Sequence, residues 1–217
     1  MNATNIFKPI LFSTEMVQAI LAGRKTQTRR IHGLQIINKN PDIFGLGDVV
    51  LNNHYNFYKL ATEKGMMIPM KYIEGDILWV RETFHDCSFY NEKSYLYKAE
   101  FTKDERSLVI WKPSIFMPKE ACRIFLKVTN VRCERLNDIS EHDAIAEGIK
   151  LLFNQDHGKN LPVYQDYRFS EEIGTITPTI SFCSLWNSIN AKKHPWKSNP
   201  WVWVYDFKRI EKPEDFN

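Results

Sequence analysis

The sequence predicts an α+β protein with a mixed sheet that is able to close into a barrel. Long segments with apolar residues at period two, typical of strands, occupy 77–84, 123–136 and 201–210. Two segments with apolar residues at helical spacing, 14–22 and 140–147, each begin at or after a residue suited to cap a helix. The predicted order of strand, helix, several strands, two helices and strand is typical of the α+β class.

The N-terminal elements are the most sharply defined. The apolar run at 8–13 predicts a buried strand. A side-chain oxygen of Ser13 or Thr14 can then cap the first helix, and Gly23 can end it in the left-handed conformation that glycine tolerates. The segment 26–31 predicts the next strand.

The middle of the chain predicts strands separated by longer connections. Residues 38–71 are polar, contain glycines and have weak periodicity, which indicates an insertion. The strand at 77–84 has a predicted partner at 95–99. Two prolines place 111–120 in a loop. The segment 123–136 is rich in strand-forming residues and predicts a long strand.

The C-terminal part predicts two helices and a closing strand. Ser140 can cap a helix that ends at Gly148. Residues 151–180 show no clear period and indicate a second insertion. A short helix is predicted at 182–189, and the strand at 201–210 completes the fold.

Length and composition predict one domain over residues 1–217, in the cytoplasm and with no membrane partner. The 29 Lys and Arg nearly balance the 26 Asp and Glu, so the net charge of +3 gives no general argument for a nucleic-acid partner. The four cysteines form no C-x-x-C pair and have no histidine at metal-ligand spacing. This pattern predicts no metal and no cofactor, and it suits a reducing compartment. There is no signal-peptide core at the N-terminus and no apolar run near the ~20 residues that span a membrane.

The segment Gly-Arg-Lys-Thr-Gln-Thr-Arg-Arg at 23–30, here called the basic turn, is the densest cluster of charge. Arg24, Lys25, Arg29 and Arg30 with two threonine hydroxyls suit phosphate groups of RNA or a nucleotide. A solvated surface turn is the alternative interpretation, because short basic runs are common.

Lys25, Thr28 and Glu147 are the candidate catalytic residues. A lysine whose pKa is lowered by burial can take a proton from a hydroxyl, if the turn after Gly23 brings Lys25 and Thr28 together. Glu147 lies at the end of its helix, before Gly148, where the helix dipole disfavours a carboxylate. Such a local conflict marks a candidate functional position, although an exposed glutamate is the alternative.

Four further residues are candidates for binding substrate or RNA. Arg81 and Glu82 are neighbours on one predicted strand and therefore face opposite sides, so one of them needs a partner inside the fold. Trp111 lies in a proline-containing loop and can stack on a base, whereas most other tryptophans suit the core. Arg123 is a further candidate for phosphate.

Taken together, four segments of this sequence resemble the ASCH-domain family, and most closely its phage-associated members. They are 8–30, 75–84, 111–149 and 199–210. The resemblance implies a PUA-like fold, which is a mixed β-barrel with flanking helices, and a cleft that binds RNA or a modified nucleoside. It covers most of the chain but not the insertions at 38–71 and 151–180.

One small bacterial member of that family removes the acetyl group from N4-acetylcytidine with a lysine and a threonine in a G-R-K-T-x-T turn and a glutamate. The resemblance carries these roles to Lys25, Thr28 and Glu147, and it implies a metal-free amidohydrolase. This chain departs from that enzyme in being about twice as long, in its Trp111 loop, and in having Arg29 where the small enzyme has an apolar residue. Another member is a ribonuclease, so a non-catalytic RNA-binding module and a ribonuclease stay as alternatives.

Overall fold

The computed structural model describes residues 7–51, 53–89, 92–156, 160–169 and 173–216. These residues form an α+β protein with thirteen strands and three α-helices. The strands are β1 Phe7–Leu11, β2 Gln27–Arg30, β3 Phe44–Leu51, β4 His54–Lys59, β5 Gly65–Pro69, β6 Ile77–Arg81, β7 Phe84–Asp86, β8 Tyr95–Tyr97, β9 Phe125–Arg135, β10 Leu151–Asp156, β11 Asn160–Gln165, β12 Gly174–Thr175 and β13 Trp201–Ile210. The helices are α1 Thr14–Leu21, α2 Glu141–Ala146 and α3 Pro178–Asn190.

The ends of α1 and α2 form where the sequence predicts them. Ser13 Oγ accepts a hydrogen bond from Met16 N at 3.4 Å at the start of α1, and Gly23 follows that helix with φ +71°. Ser140 Oγ accepts from Asp143 N at 3.1 Å at the start of α2, and Gly148 follows with φ +87°. The positive φ is the conformation in which glycine ends a helix without strain.

The third helix is longer than predicted. It begins at Pro178, which needs no hydrogen-bond partner for its nitrogen in the first helical turn, and it runs to Asn190. None of the three helices in the described residues is long and apolar enough to cross a membrane.

The chain divides into two compact units. The first contains the described residues of Met1–Gly23, Glu74–Thr129 and Phe207–Asn217. In it, β1 pairs in parallel with β6, β6 pairs antiparallel with the start of β9, and β7 and β8 form a hairpin. Its core includes Ile77, Phe84, Met117, Phe125 and Phe216.

The second unit contains the described residues of Arg24–Ile73 and Asn130–Asp206. In it, β2 pairs antiparallel with β13, so that Thr28 lies opposite Tyr205 and Arg30 opposite Trp203. Its core joins Leu136, Ile139, Ala144, Phe182, Trp186, Val202 and Val204. This core fixes α2 and α3 next to the strand that carries the end of the basic turn.

The sheets of the described residues do not close into a barrel. The largest has the strand order β1-β6-β9-β13-β2, and its outer strands β1 and β2 are not paired with each other. The predicted strand at 77–84 ends at Arg81, and β7 follows as a separate strand that pairs with β8. The predicted strands at 123–136 and 201–210 are confirmed in nearly their full length.

The two segments without clear periodicity, which the sequence indicates as insertions, form antiparallel sheets. Strands β3, β4 and β5 lie within 38–71, and β10, β11 and β12 lie within 151–180. Phe57 of β4 packs edge-on against Trp201 with ring centroids 5.3 Å apart, and Tyr55 packs against Trp203 at 5.2 Å. The first of these segments therefore contributes to the core of the second unit. The single-domain assignment stays a prediction.

Candidate functional site

Lys25 is buried in the second unit, next to the edge strand β2 of the five-stranded sheet. It precedes β2, the outermost strand, and its backbone forms an isolated bridge with Glu147 at the end of α2. Its Nζ donates to the Glu147 carboxylate Oε2, to the Glu147 carbonyl and to the Gln27 carbonyl, each at 2.8 Å. The Lys25 side chain is only 1% exposed and that of Glu147 only 5%. Two of the three predicted catalytic residues are therefore in direct contact.

The surroundings of Lys25 favour its uncharged form more than water would. Burial lowers the pKa of Lys25 below its ordinary value, because the ammonium loses its hydration. The charge and hydrogen bond of Glu147 oppose this effect, whereas the charges of Arg30 and Arg29 add to it. A lysine with a lowered pKa can accept a proton closer to neutral pH.

Thr28 directly follows Gln27, whose carbonyl accepts a hydrogen bond from Lys25 Nζ. The Gln27 carbonyl that binds Lys25 Nζ belongs to the peptide group whose nitrogen is that of Thr28. Thr28 is 2% exposed and shares a face of β2 with Arg30, since residues two apart on a strand face the same side. The bend after Gly23 thus brings the Lys25 ammonium back to the start of the strand that carries Thr28.

Arg29 is enclosed by carboxylates. Its side chain is 0% exposed, and its guanidinium contacts Glu134 at 2.5 Å, Glu147 Oε1 at 3.1 Å and Asp143 at 3.4 Å. It also lies over the Phe182 ring, 5.7 Å from the centroid. A guanidinium in this position has no surface for a phosphate, so the RNA-binding role expected for Arg29 is not favoured by this packing.

The other two arginines of the basic turn differ from Arg29. Arg24 is exposed and donates to the carbonyls of Gly148 and Ile149, which follow α2, at 2.9 and 3.4 Å. Arg30 is half-buried, and burial lowers its pKa against the opposing charges of Tyr72 and Glu147. Arg30 and Glu147 therefore lie close enough to interact electrostatically with each other and with Lys25.

An ion-pair network that the sequence did not indicate surrounds Lys25 and Glu147. Arg132 contacts Asp143 at 2.8 Å, Glu134 at 2.9 Å and Asp206 at 3.0 Å. Gln27 Nε2 donates to Asp143 at 3.1 Å and to Asp206 at 2.5 Å. The residues come from β2, β9, α2 and β13, so four elements hold the Lys25 environment in place.

One local signal could have revealed this network. Asp143 lies on α2 and Glu147 directly follows the helix, four residues later, so both lie on one side of it. Two carboxylates at that spacing repel each other unless a cation lies between them. In the structure the guanidinium of Arg29 contacts both.

In the first unit, Glu82 and Arg123 form a buried pair of their own. Arg123 Nε and Nη2 donate to the two oxygens of Glu82 at 2.9 and 3.1 Å, and Arg123 also contacts Glu100. Glu82 is 1% exposed, and burial raises its pKa although Arg123 opposes this. The guanidinium carbon lies 3.9 Å from the Tyr97 ring centroid. The prediction that a charge on this strand needs an internal partner is confirmed; the binding roles of Glu82 and Arg123 stay predictions.

Arg81 and Trp111 also have partners within the first unit. Arg81 donates to the Ile115 carbonyl and lies over the Trp79 ring at 5.5 Å. Trp111 Nε1 donates to the Arg106 carbonyl at 2.8 Å, and the indole packs edge-on against Phe101 at 5.3 Å. Base stacking on Trp111 stays a prediction. Part of the indole surface is already occupied by its contact with Phe101.

The second unit also contains an open cavity of about 630 Å³ beside α3. Its lining includes Asn137, Ile139, Arg168, Cys183 and Trp196, and none of these is a predicted site residue. No group of three or more His, Cys, Asp or Glu is arranged to hold a metal ion in the part of the chain that the structure describes.

Comparisons with known proteins found no relative of this chain. No protein-family model matches it. A search of curated proteins and a search of solved structures also gave no match.

Proposed function

We propose that this protein is an ASCH-type, PUA-like amidohydrolase that removes the acyl group from N4-acylated cytidine. The observation that supports this most directly is the buried contact between Lys25 Nζ and Glu147 Oε2 at 2.8 Å, with Thr28 three residues after Lys25 in the chain. Lys25, Thr28 and Glu147 are the three positions that the resemblance assigns to catalysis. The sheet is open among the described strands, so the PUA-like assignment rests on the sequence resemblance and not on a closed barrel.

The proposed reaction splits the amide between N4 of cytidine and the acyl carbon. Thr28 Oγ1 attacks the acyl carbon, or orients a water molecule that does so, while Lys25 takes the proton from the attacking hydroxyl. Glu147 orients Lys25 and relays to N4 the proton that Lys25 took from the hydroxyl, as the amide bond breaks. Water then releases the acyl group as a carboxylate, and the products are cytidine and the free acid.

Lys25 is suited to this role by its burial and by its neighbours. Burial lowers the pKa of Lys25, and the charges of Arg30 and Arg29 lower it further. The fraction of free amine at neutral pH is therefore larger than for an exposed lysine. The rate is expected to rise with pH through the pKa of Lys25, because only the free amine can accept the proton.

A non-catalytic nucleoside- or RNA-binding module is the second candidate. The observation that favours it is that Lys25 Nζ makes three hydrogen bonds to Gln27 and Glu147, as many as an ammonium can donate. A structural ion pair would have this geometry. The partners of Arg24 and Arg29 within the protein argue against a long RNA held by the whole basic turn.

The test is turnover of N4-acetylcytidine by the purified chain, with cytidine and acetate measured by chromatography. We expect hydrolysis by the wild type and a loss of several orders of magnitude in Lys25→Ala. The matched control is Lys8→Ala, which removes another lysine that contacts a carboxylate, Asp76 at 2.7 Å in the first unit. The control should retain wild-type turnover.

Each outcome separates the candidate functions. Binding of N4-acetylcytidine without turnover would contradict the hydrolase and support the binding module. Cleavage of a labelled RNA by the wild type, lost in the Lys25 variant, would support a ribonuclease. Hydrolysis that survives Lys25→Ala would refute the assigned mechanism.

A further inference from the structure

We propose that Arg29 is a positioning residue, which supplies a second cationic partner to Glu147 and holds it in place when Lys25 gives up its proton. This inference rests on the proposed function, because it explains how Lys25 serves as a base there. It also assigns a role to the position at which this chain departs from the small amidohydrolase it resembles.

The two oxygens of Glu147 are divided between two cations. Lys25 Nζ contacts Oε2 at 2.8 Å, and Arg29 Nη1 contacts Oε1 at 3.1 Å. The side chains of Lys25, Glu147 and Arg29 are between 0% and 5% exposed, so water solvates their charges very little. Without Arg29, a neutral Lys25 would leave a buried carboxylate unpaired, which is strongly unfavourable. With Arg29, the carboxylate keeps a counter-charge whether Lys25 is charged or neutral.

The hydrogen bonds of Lys25 allow both protonation states. The ammonium donates to Gln27 O, Glu147 O and Glu147 Oε2. The free amine has two N–H groups, which match the two backbone carbonyls, and the bond to the carboxylate is the one that is lost. Arg29 then remains as the partner of Glu147.

The rest of the network fixes the guanidinium of Arg29. Nη2 contacts Glu134 at 2.5 Å and Asp143 at 3.4 Å, and the Phe182 ring lies against the group at 5.7 Å. A planar fork is needed to contact Glu147 and Glu134 at once, and a lysine could not replace it. Arg29 is therefore held by the fold and does not depend on substrate for its position.

Charged and titratable groups from every neighbouring element face Lys25 and Glu147 or the residues that interact with them. They are Arg29 and Arg30 of β2, Arg132 and Glu134 of β9, Asp143 of α2, Tyr205 and Asp206 of β13, and Lys71 and Tyr72 after β5. The charges of Arg30 and Arg29 lower the pKa of Lys25, whereas the contacts of Arg132 are with the carboxylates of Glu134, Asp143 and Asp206. Removal of the Arg29 charge should therefore raise the pKa of Lys25, and removal of the Arg132 charge should not.

The experiment compares two double variants that differ only in which arginine is lost. Arg29→Met with Glu134→Gln removes one cation and one carboxylate, and Arg132→Met with Glu134→Gln removes the same charges. Protein labelled with ¹³C at lysine Cε is titrated by NMR, and the Lys25 signal is identified by its absence in Lys25→Ala. We expect the Lys25 midpoint to rise by about one pH unit in the Arg29 variant and to stay unchanged in the Arg132 variant. Equal midpoints in the two variants would overturn the inference.

A second variant tests the same role if the protein with Arg29→Met and Glu134→Gln does not fold. Arg29→Lys keeps the charge but cannot contact Glu147 and Glu134 together, so the Lys25 midpoint should rise by a smaller amount. An unchanged midpoint in that variant would also overturn the positioning role.

Turnover measured on the same proteins separates this inference from the proposed function. If the wild type hydrolyses N4-acetylcytidine, the rising limb of its pH profile should move to higher pH in the Arg29 variant and not in the Arg132 variant. A limb that stays in place would refute the role of Arg29 and leave the function intact. If the wild type hydrolyses nothing but the Lys25 midpoint depends on Arg29, the function fails and the electrostatic role of Arg29 stands.

Discussion

Arg123→Met should destabilise the protein strongly at neutral pH and only slightly in mild acid. The substitution leaves the 1%-exposed carboxylate of Glu82 without the two hydrogen bonds, at 2.9 and 3.1 Å, that now hold it. A buried carboxylate with no partner either stays charged at a high cost or takes up a proton. Glu100, the other carboxylate in contact with Arg123, has a side chain that is 52% exposed and loses little.

The cost of protonating Glu82 sets the magnitude. In the unfolded chain a glutamate has a pKa of about 4.3, and each pH unit above that value costs about 1.4 kcal/mol for the neutral form. At pH 7 this amounts to about 4 kcal/mol, in the range found when a buried ion pair is broken. At pH 5 it is about 1 kcal/mol. Since the folded-state pKa of Glu82 is raised, the destabilisation is present at high pH and is relieved as the pH falls.

Urea unfolding followed by tryptophan fluorescence at pH 7 and pH 5 measures both values. The double variant Glu82→Gln with Arg123→Met should recover most of the loss at pH 7, because no charge is then buried. Arg209→Met, at an exposed position, is the control and should change stability by less than about 0.5 kcal/mol. An equal loss at the two pH values, or a loss below about 1 kcal/mol at pH 7, would refute the reasoning.

Three further outcomes are expected. Lys25→Ala and Thr28→Ala should each lower kcat for N4-acetylcytidine by several orders of magnitude and the double variant little more, because both disable one step; additive losses in steady-state assays would contradict this. Burial opposes ionisation of Asp143, but its hydrogen bond from Gln27 and nearby arginine charges hold its pKa below the ordinary value. The stability from this shift is present above about pH 4 and lost as the pH falls further, so Asp143→Asn should destabilise at pH 7 and much less at pH 3 in urea titrations. Gly23→Ala should cost about 1 kcal/mol in thermal unfolding, because φ is +71° although no atom lies within 4 Å of the added methyl.

The sequence was sufficient for features that depend on a few neighbouring residues. Ser13 and Ser140 cap their helices, and Gly23 and Gly148 end them with positive φ, as predicted. Each of these interactions closes within one helical turn, so the residues that decide it are adjacent in the chain. The strand Trp201–Ile210 was likewise predictable, because it is long and strongly apolar.

The sequence was not sufficient for the strands inside the two weakly periodic segments. In the sheet of β3, β4 and β5, the buried apolar residues with described side chains are few: Phe44, Phe57 and Ile68, one on each strand. One buried residue per strand gives no apolar alternation for a pattern to detect. These strands are recognisable only from their pairing with each other and from the packing of Phe57 on Trp201.

The sequence by itself identified Lys25 and Glu147 as residues of interest, through the basic turn and through a carboxylate at an unfavourable helix end. It could not determine the environment of Arg29, which is charged like its neighbours and was expected to face phosphate. The fold instead brings Glu134, Asp143 and Glu147 to that guanidinium from positions 105 to 118 residues away in the chain. Electrostatic energy depends on distance in space and not on separation along the chain, so only the tertiary structure decides which cations of the basic turn are buried and which are exposed.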